Sequence, residues 1–222
     1  MNAGKSTLLL QASHNYGERG MNTLLFTAAL DDRAGVTTIA SRIGLKAKAE
    51  LFSENDNLFE KIKTALDNAP VNCVFVDEAQ FLTKQQVWQL ARVADRLGVP
   101  IMCYGLRTDF QGKLFPGSSE LLAIADVLRE IRTICHCGSK ATMVVRLGED
   151  GAVLIEGDQV AIGGNERYVS LCRKHWEEKT GSWPTAEPDS PTLELEPDST
   201  VQALVKNKLA NSDKNKKKPS EI

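Results

Sequence analysis

Near its start the chain carries four residues suited to binding a triphosphate. Gly4-Lys5-Ser6-Thr7 matches the end of a Walker A loop, G-x-x-x-x-G-K-[ST]. In such a loop the glycine lets the backbone approach phosphate oxygens, the lysine reaches the β- and γ-phosphates, and the hydroxyl binds Mg²⁺. An ordinary helix start is the alternative, because so short a motif also occurs by chance. We interpret these residues as a phosphate-binding site for ATP with Mg²⁺.

Two carboxylates follow the apolar strand Val74-Phe75-Val76. In P-loop enzymes the aspartate at the end of such a strand helps to hold Mg²⁺, which assigns that role to Asp77. Glu78 comes next, at the carboxyl end of the sheet, where open α/β folds bind their ligands. A carboxylate there can accept the proton of an attacking hydroxyl or water. A capping pair for the following helix is the alternative.

Two short groups of cysteine and histidine suit a metal ion. Cys135-His136-Cys137 and Cys172-Arg173-Lys174-His175 together supply three thiolates and one imidazole, which is a common tetrahedral zinc set. The Cys-x-Cys spacing is tighter than the usual C-x₂-C, and His136 is a competing ligand. Buried free thiols are the alternative. Cys73 and Cys103 lie inside predicted strands, where we expect them in the core.

Alternating strands and helices must position these residues. Strands are predicted at 23–28, 71–77 and 99–105, and helices at 5–16, 56–68 and 83–97. The last helix has apolar residues at helical spacing, with Thr83 as its predicted N-cap and Gly98 at its end. This alternation predicts an α/β fold with a mostly parallel sheet covered on both faces.

The chain changes character twice along its length. From about residue 131 the strands become short and turn signals frequent, which predicts a small β-rich module around the cysteines. After Gly181 the chain turns to Pro, Ser, Thr, Asp and Glu and ends in lysines, so we expect a disordered tail over 182–222. We therefore predict a nucleotide-binding domain (1–130), a zinc-binding module (131–178) and a tail (179–222).

The composition argues against several classes of protein. A net charge of -2 provides no general basic field for a nucleic-acid backbone. No apolar run approaches the roughly 18 residues needed to cross a bilayer. Five cysteines, an odd number, favour metal ligation or burial over a disulfide framework. We predict a cytoplasmic protein with neither a membrane nor a nucleic-acid partner.

The phosphate loop is shorter than its full pattern. Its first glycine, and the strand that normally feeds the loop, would both precede Met1. A sheet lacking that strand would be badly destabilised. We therefore expect the natural reading frame to begin upstream and to supply roughly ten further residues of strand and loop.

Four segments occur in an order that resembles a known family. They are Met1-Asn2-Ala3-Gly4-Lys5-Ser6-Thr7, Asp77-Glu78-Ala79-Gln80-Phe81-Leu82, Tyr104-Gly105-Leu106-Arg107-Thr108-Asp109-Phe110 and Ile162-Gly163-Gly164-Asn165-Glu166-Arg167-Tyr168. Over residues 1–178 the chain resembles the type II thymidine kinases of bacteria, relatives of the cytosolic animal enzyme. It departs from them at its start, at Ala79, where many members carry Cys or Gly, and in its long tail. The resemblance implies a P-loop (RecA-like) fold whose β-rich zinc-binding module carries a lasso loop.

The resemblance also implies a reaction, the transfer of the γ-phosphate of ATP to the 5′-hydroxyl of thymidine. Glu78 would be the general base. Asp31 would lie near the metal, and Arg33 would steady the transferred phosphoryl group, unless it only forms a surface ion pair. The residues implied for ATP and Mg²⁺ are Met1, Asn2, Ala3, Gly4, Lys5, Ser6, Thr7, Asp77, Glu78, Ala79 and Gln80.

By the same resemblance an apolar pocket holds the thymine base. Phe81 and Phe110 would stack there, whereas the alternative makes both of them core residues. The full set implied for thymidine is Phe81, Leu106, Phe110, Met143, Ile162, Gly163, Gly164 and Tyr168, in which the paired glycines let peptide groups approach the base. Structural Zn²⁺ on Cys135, Cys137, Cys172 and His175 would pin the base of the lasso. The resemblance further implies a homotetramer and feedback inhibition by dTTP.

Two other functions compete with this interpretation. A P-loop enzyme that hydrolyses ATP would use Glu78 to activate water, but it leaves the lasso and the aromatic pair without a role. A zinc-ribbon protein could bind nucleic acid through its C-terminal lysines, but it lacks a basic folded domain.

Overall fold

A parallel sheet of four strands, flanked by helices, forms the centre of the fold. The computed structural model describes residues 3–30, 37–160 and 167–181. The helices are α1 (Lys5–Gly17), α2 (Leu58–Asn68), α3 (Lys84–Leu97), α4 (Pro116–Ile124) and α5 (Arg173–Thr180), with a 3₁₀ turn at Ala79–Phe81. The strands are β1 (Thr23–Ala28), β2 (Thr38–Ala40), β3 (Lys46–Lys48), β4 (Glu50–Phe52), β5 (Cys73–Val76), β6 (Ile101–Cys103), β7 (Thr133–Ile134), β8 (Lys140–Ala141), β9 (Met143–Leu147), β10 (Val153–Leu154) and β11 (Tyr168–Leu171). The central order is β4-β1-β5-β6, and every neighbouring pair is parallel.

Alternation along the two inner strands divides the core between the two faces of the sheet. Phe26, Val74 and Val76 are buried in a cluster with residues of α2 and α3. Leu25 and Phe75 face the other side, where they pack with residues of α1. Successive strand side chains point to opposite faces, and both faces are covered, so the buried positions of β1 and β5 are apolar except Thr27. Full burial of one such side chain contributes roughly 1.5–3 kcal/mol.

Local signals in the sequence account for the bounds of α3. The Thr83 hydroxyl accepts a hydrogen bond from the Gln86 backbone N–H, and the Gln86 side chain accepts one from the Thr83 N–H. This reciprocal capping box satisfies two N–H groups that the helix leaves without partners. At the other end Gly98 has a φ of 67°, which favours glycine and stops the helix. The predicted cap and end of this helix are confirmed.

A second, antiparallel sheet lies in the β-rich part of the chain. β9 is its central strand and pairs with β10 and β11. Cys135, Val145, Leu171 and Trp176 form a separate apolar cluster there. The Trp176 indole N–H lies 3.2 Å from the Phe110 carbonyl oxygen and 3.1 Å from that of Val144. This side chain therefore ties α5 to β9 and to the loop that follows β6.

The α/β fold predicted from the alternation is confirmed, but some strands are shorter than predicted. β1 occupies its predicted residues, whereas β5 and β6 cover only the middle of theirs. The ladder continues to the Asp77 N–H, which donates to the Phe26 carbonyl at 2.8 Å, and the chain then turns away at Glu78. Strands β2, β3 and β4 were not predicted, because three residues are too few to reveal a period of two.

None of the helices in the described part of the chain is long and apolar enough to span a membrane.

Candidate active site

The start of α1 and the end of β5 meet through a single hydrogen bond. The Ser6 hydroxyl donates to Asp77 Oδ2 at 2.8 Å, although the two residues are 71 positions apart in the chain. Ser6 lies in the first turn of α1, which Gly4 opens with a φ of 82°. The first backbone N–H groups of a helix have no partner within it and attract anions. The predicted phosphate-binding loop and the predicted metal-supporting carboxylate are therefore adjacent.

Burial raises the pKa of the Asp77 carboxyl, and the neighbouring Glu78 carboxylate raises it further. The hydrogen bond from Ser6 and the charge of Lys5 oppose this shift. Asp77 is only 4% exposed, so its negative charge is poorly solvated. Oxygen donors from a carboxylate and a hydroxyl are the ligands that Mg²⁺ prefers. These residues fit a magnesium ion, whose charge would offset that of the buried carboxylate.

Asp77→Asn is expected to stabilise the magnesium-free protein at neutral pH. The pKa of Asp77 in the folded protein is above its ordinary value, so stability falls as the pH rises through that folded pKa. Removing the charge removes this cost, and each kcal/mol gained should raise the Tm by about 2–4 °C. Calorimetry at pH 7, with the exposed Asp67→Asn as control, measures the change. A Tm no higher than that of the control would contradict the expectation.

Glu78 occupies a conformation that non-glycine residues rarely adopt. Its φ is 52° and its ψ 37°, and the residue is only 9% exposed. Its backbone N–H donates to Asp77 Oδ1 at 2.9 Å, and its side-chain Oε2 accepts from Gln80 Nε2 at 2.5 Å. A left-handed backbone at such a residue costs of order 1–3 kcal/mol and concentrates at functional sites. The turn directs the Glu78 carboxylate toward Gln80 rather than along the strand.

A second group of predicted site residues assembles in the β-rich part of the chain. The ligand atoms of Cys135, Cys137, Cys172 and His175 all lie within 4.8 Å of one another. His175 Nδ1 is 3.4 Å from Cys135 Sγ and 3.3 Å from Cys172 Sγ, and the Cys137 and Cys172 sulfurs are 3.9 Å apart. Tetrahedral zinc would place two sulfurs about 3.8 Å apart and a sulfur and a nitrogen about 3.5 Å apart. The four side chains therefore fit one tetrahedral ion.

The four residues that could hold a metal are those predicted as zinc ligands, and their chemistry suits such an ion. Hydrogen bonds from Ser139 lower the pKa of Cys137 to about 6, which favours the thiolate that binds metals. His136 lies outside the group of four, with Nδ1 3.5 Å from Cys135 Sγ and its ring 4.2 Å from that of His175. Cys73 is fully buried in β5, as expected for a core thiol, whereas Cys103 is only partly buried.

Comparison with known proteins decides the family. The family model described as thymidine kinase matches residues 1–176. The chain belongs to the thymidine kinase family. A thymidine kinase from Agrobacterium fabrum is 67% identical over 178 residues, which are 80% of this chain and 92% of that protein. One from Jannaschia sp. is 64% identical over 184 residues, or 83% of this chain and 94% of that protein.

The thymidine kinase resemblance predicts a nucleoside pocket, and the described part of it falls into two groups. Leu106 follows β6 and Phe81 ends the 3₁₀ turn, where its ring meets that of Phe115 edge-on at 6.0 Å. Phe110 and Met143 lie with the β-rich part. Met143 begins β9, and Tyr168 begins β11 opposite Arg146. The predicted Met1, Asn2, Asp31, Arg33, Ile162, Gly163 and Gly164 lie outside the described residues.

A buried arginine that the sequence analysis missed covers Phe110. The Arg146 guanidinium carbon lies 3.9 Å from the centre of the Phe110 ring, and Phe110 is only 1% exposed. Arg146 is 6% exposed, and its Nη1 donates to the Asp158 carbonyl at 2.8 Å. Gly157 has a φ of 127°, which favours glycine, and a Cβ there would stand 2.6 Å from Arg146 Nη2. The sequence feature that could have revealed Arg146 is a charged residue within the otherwise apolar strand β9.

Asp109 is a second buried charge that the sequence analysis did not select. Its Oδ1 accepts from the Gln111 and Lys113 backbone N–H groups, each at 2.9 Å. Its Oδ2 accepts from Gln159 Nε2 at 2.9 Å. Asp109 is 3% exposed, and the three protein N–H donors replace the water that would otherwise solvate its carboxylate. It fixes the loop that carries Phe110 and connects that loop to residues just before the predicted lasso.

Proposed function

We propose that the protein transfers the γ-phosphoryl group of ATP to the 5′-hydroxyl of thymidine, giving dTMP and ADP. The hydrogen bond between Ser6 and Asp77 carries the proposal, because it joins the triphosphate loop to the strand end that presents Glu78. An oxygen of the nucleoside held beside Glu78 would therefore face the phosphates held beside Lys5. Membership of the thymidine kinase family supports thymidine as the nucleoside.

Six residues share the work of phosphoryl transfer in this proposal. Lys5 binds the β- and γ-phosphates, and Ser6 with Asp77 would hold Mg²⁺. The ion supplies charge neutralisation on the phosphate oxygens when bound. Glu78 accepts the proton of the 5′-hydroxyl as that oxygen bonds to the γ-phosphorus and the bond to the β-phosphate oxygen breaks, releasing ADP. Arg33 and Asp31 are proposed to assist at the phosphoryl group and the metal.

The nucleoside pocket is proposed to combine both groups of apolar residues described above. Phe81, Leu106, Phe110 and Met143 would surround the base, and Tyr168 would close the pocket with the 162–164 segment. Phe110 is positioned for this role by Arg146 on its ring and by the bond from Trp176 to its carbonyl. Its near-complete burial favours a supporting position behind the base over open stacking on it.

The proposal extends to the metal, the location, the assembly and the regulation of the protein. The Cys₃His group would hold structural Zn²⁺, since four protein ligands leave no open position for catalysis. ATP and Mg²⁺ would be used in the cytoplasm by a homotetramer. Feedback inhibition would follow from dTTP binding in the substrate site.

A nucleoside panel with radiolabelled ATP tests the proposed reaction. Labelled product should form with thymidine and not with ribonucleosides, and ADP release should depend on thymidine. ADP release at the same rate with and without any added nucleoside would instead identify an ATP hydrolase. Binding to DNA that weakens steeply between low and high salt would identify the nucleic-acid alternative. Adding dTTP to the same assay tests the feedback inhibition.

A further inference from the structure

We propose that Gln80 is a positioning residue that orients the Glu78 carboxylate and connects it to the wall of the nucleoside pocket. The resemblance places Gln80 among the ATP-binding residues, but its contacts in the structure point elsewhere. The inference rests on the proposed function, in which Glu78 is the general base.

The side chain of Gln80 is engaged at both ends of its amide. Nε2 donates to Glu78 Oε2 at 2.5 Å, and Oε1 accepts from the Leu106 backbone N–H at 2.9 Å. Gln80 is 1% exposed, so these bonds form away from competing water. An amide buried in this way is held in one rotamer, and it holds its partners in turn.

The direction of the amide follows from its partners. A backbone N–H is only a donor, so the oxygen of Gln80 must face Leu106. The nitrogen therefore faces Glu78 and presents a donor to the carboxylate. The opposite orientation would place two donors together at Leu106 and two oxygens together at Glu78.

The surrounding backbone is shaped to admit this side chain. A Cβ at Gly105 would lie 2.9 Å from the Gln80 backbone nitrogen and 3.0 Å from its Oε1, closer than such contacts normally occur. The Leu106 carbonyl accepts from the Ser118 hydroxyl at 2.5 Å, and Ser118 is 6% exposed. Hydrogen bonds on both sides of the Leu106 Cα thus fix this residue, one from Ser118 of α4 to its carbonyl and one from its N–H to Gln80, which in turn donates to Glu78.

These hydrogen bonds couple two parts of the proposed site. Leu106 is a predicted wall of the thymidine pocket, and Glu78 is the proposed base. A nucleoside that binds against Leu106 would therefore meet a carboxylate that Gln80 holds in a fixed position relative to the backbone of Leu106. Loss of the Gln80 amide would leave nucleoside and ATP binding in place and misplace the carboxylate.

Gln80→Met tests this role against a role in binding ATP. Methionine keeps the volume of glutamine and removes both hydrogen bonds. We expect kcat for thymidine to fall by about 10- to 100-fold, since a displacement near 1 Å can cost 10²-fold, while KM for ATP and for thymidine stay within about twofold. A rise in KM for ATP with unchanged kcat would overturn the proposal in favour of a nucleotide ligand, and unchanged kinetics would also overturn it.

Gln89→Met is the matched control for the loss of a buried amide. Gln89 is 6% exposed, and its Oε1 accepts from the Leu58 backbone N–H at 2.9 Å in the α2–α3 packing. Both methionine variants should lose thermal stability, but only the one at residue 80 should lose kcat. An equal loss of kcat in both variants would attribute the effect to general destabilisation and overturn the proposal.

Gln80→Glu keeps the test decisive if the methionine variant fails to fold. Glutamate retains the length of the side chain and the acceptor for the Leu106 N–H, and when ionised it replaces the donor to Glu78 with a second negative charge beside that carboxylate. At pH 8 we expect kcat to fall at least about tenfold with KM nearly constant, and full activity would overturn the proposal. The proposed function fails separately, if the unaltered protein forms no labelled product with thymidine, whereas full activity of Glu78→Gln would remove only the role of Glu78 as the base.

Discussion

Glu78→Gln is expected to lower kcat for thymidine phosphorylation by about 10²–10⁴-fold, the usual contribution of a general base. Glutamine has nearly the same shape as glutamate and can still accept the bond from Gln80, so the left-handed turn should persist. It cannot take a proton from the 5′-hydroxyl. Binding of thymidine and of ATP, measured by calorimetric titration, should therefore survive while turnover is lost.

The exposed Glu54→Gln is the control for this variant, because it removes the same charge outside the described site. It should leave kcat within about twofold of the starting protein, as surface substitutions usually do. Residual activity of Glu78→Gln equal to that of the control would exclude Glu78 as the base. Glu78, which lies beside Asp77, would then need a role other than accepting the proton.

Cys135→Ser is expected to abolish stoichiometric zinc binding and to destabilise the β-rich part of the chain. Cys135 is 2% exposed and packs with Val145, Leu171 and Trp176, so the metal site and this apolar cluster share a residue. Structural zinc contributes of order 10 kcal/mol in zinc-finger peptides, comparable with the whole stability of a typical domain. The Tm should fall by about 10 °C or more.

Elemental analysis of the purified protein and calorimetry with and without a chelator measure both effects. Cys73→Ala is the matched control, since it removes a fully buried cysteine from β5 outside the metal group. That variant should lose some stability and keep its zinc. The expectation fails if the protein grown with ample zinc contains none, or if Cys135→Ser retains it.

Loss of zinc in Cys135→Ser should also disturb the proposed nucleoside pocket. The Trp176 indole of α5 donates to the Phe110 carbonyl, and α5 begins directly after Cys172, one of the proposed zinc ligands. The loop that carries Phe110 is therefore positioned in part by α5, which follows the proposed zinc ligands. Zinc would act through structure, with no step of the reaction passing through it.

Residues close together in the chain determined the parts that the sequence alone predicted. The capping box at Thr83 and the left-handed stop at Gly98 involve neighbours within four positions, so the bounds of α3 could be inferred. The alternation of apolar strands and helices required a covered parallel sheet. The Cys₃His group was predicted although its two halves lie 35 to 40 positions apart, because each half is a short local pattern and three thiolates with one imidazole form a common zinc set.

Tertiary structure alone decided how the side chains meet. Ser6 and Asp77 are 71 positions apart in the chain, so their contact depends on how the fold places the start of α1 against the end of β5. The partner of Gln80 depends on the left-handed turn at Glu78 and on the missing side chain at Gly105 of another segment. Short-range patterns encode periods and caps, whereas these contacts arise only when segments distant in the chain share one buried volume, and no local pattern records that.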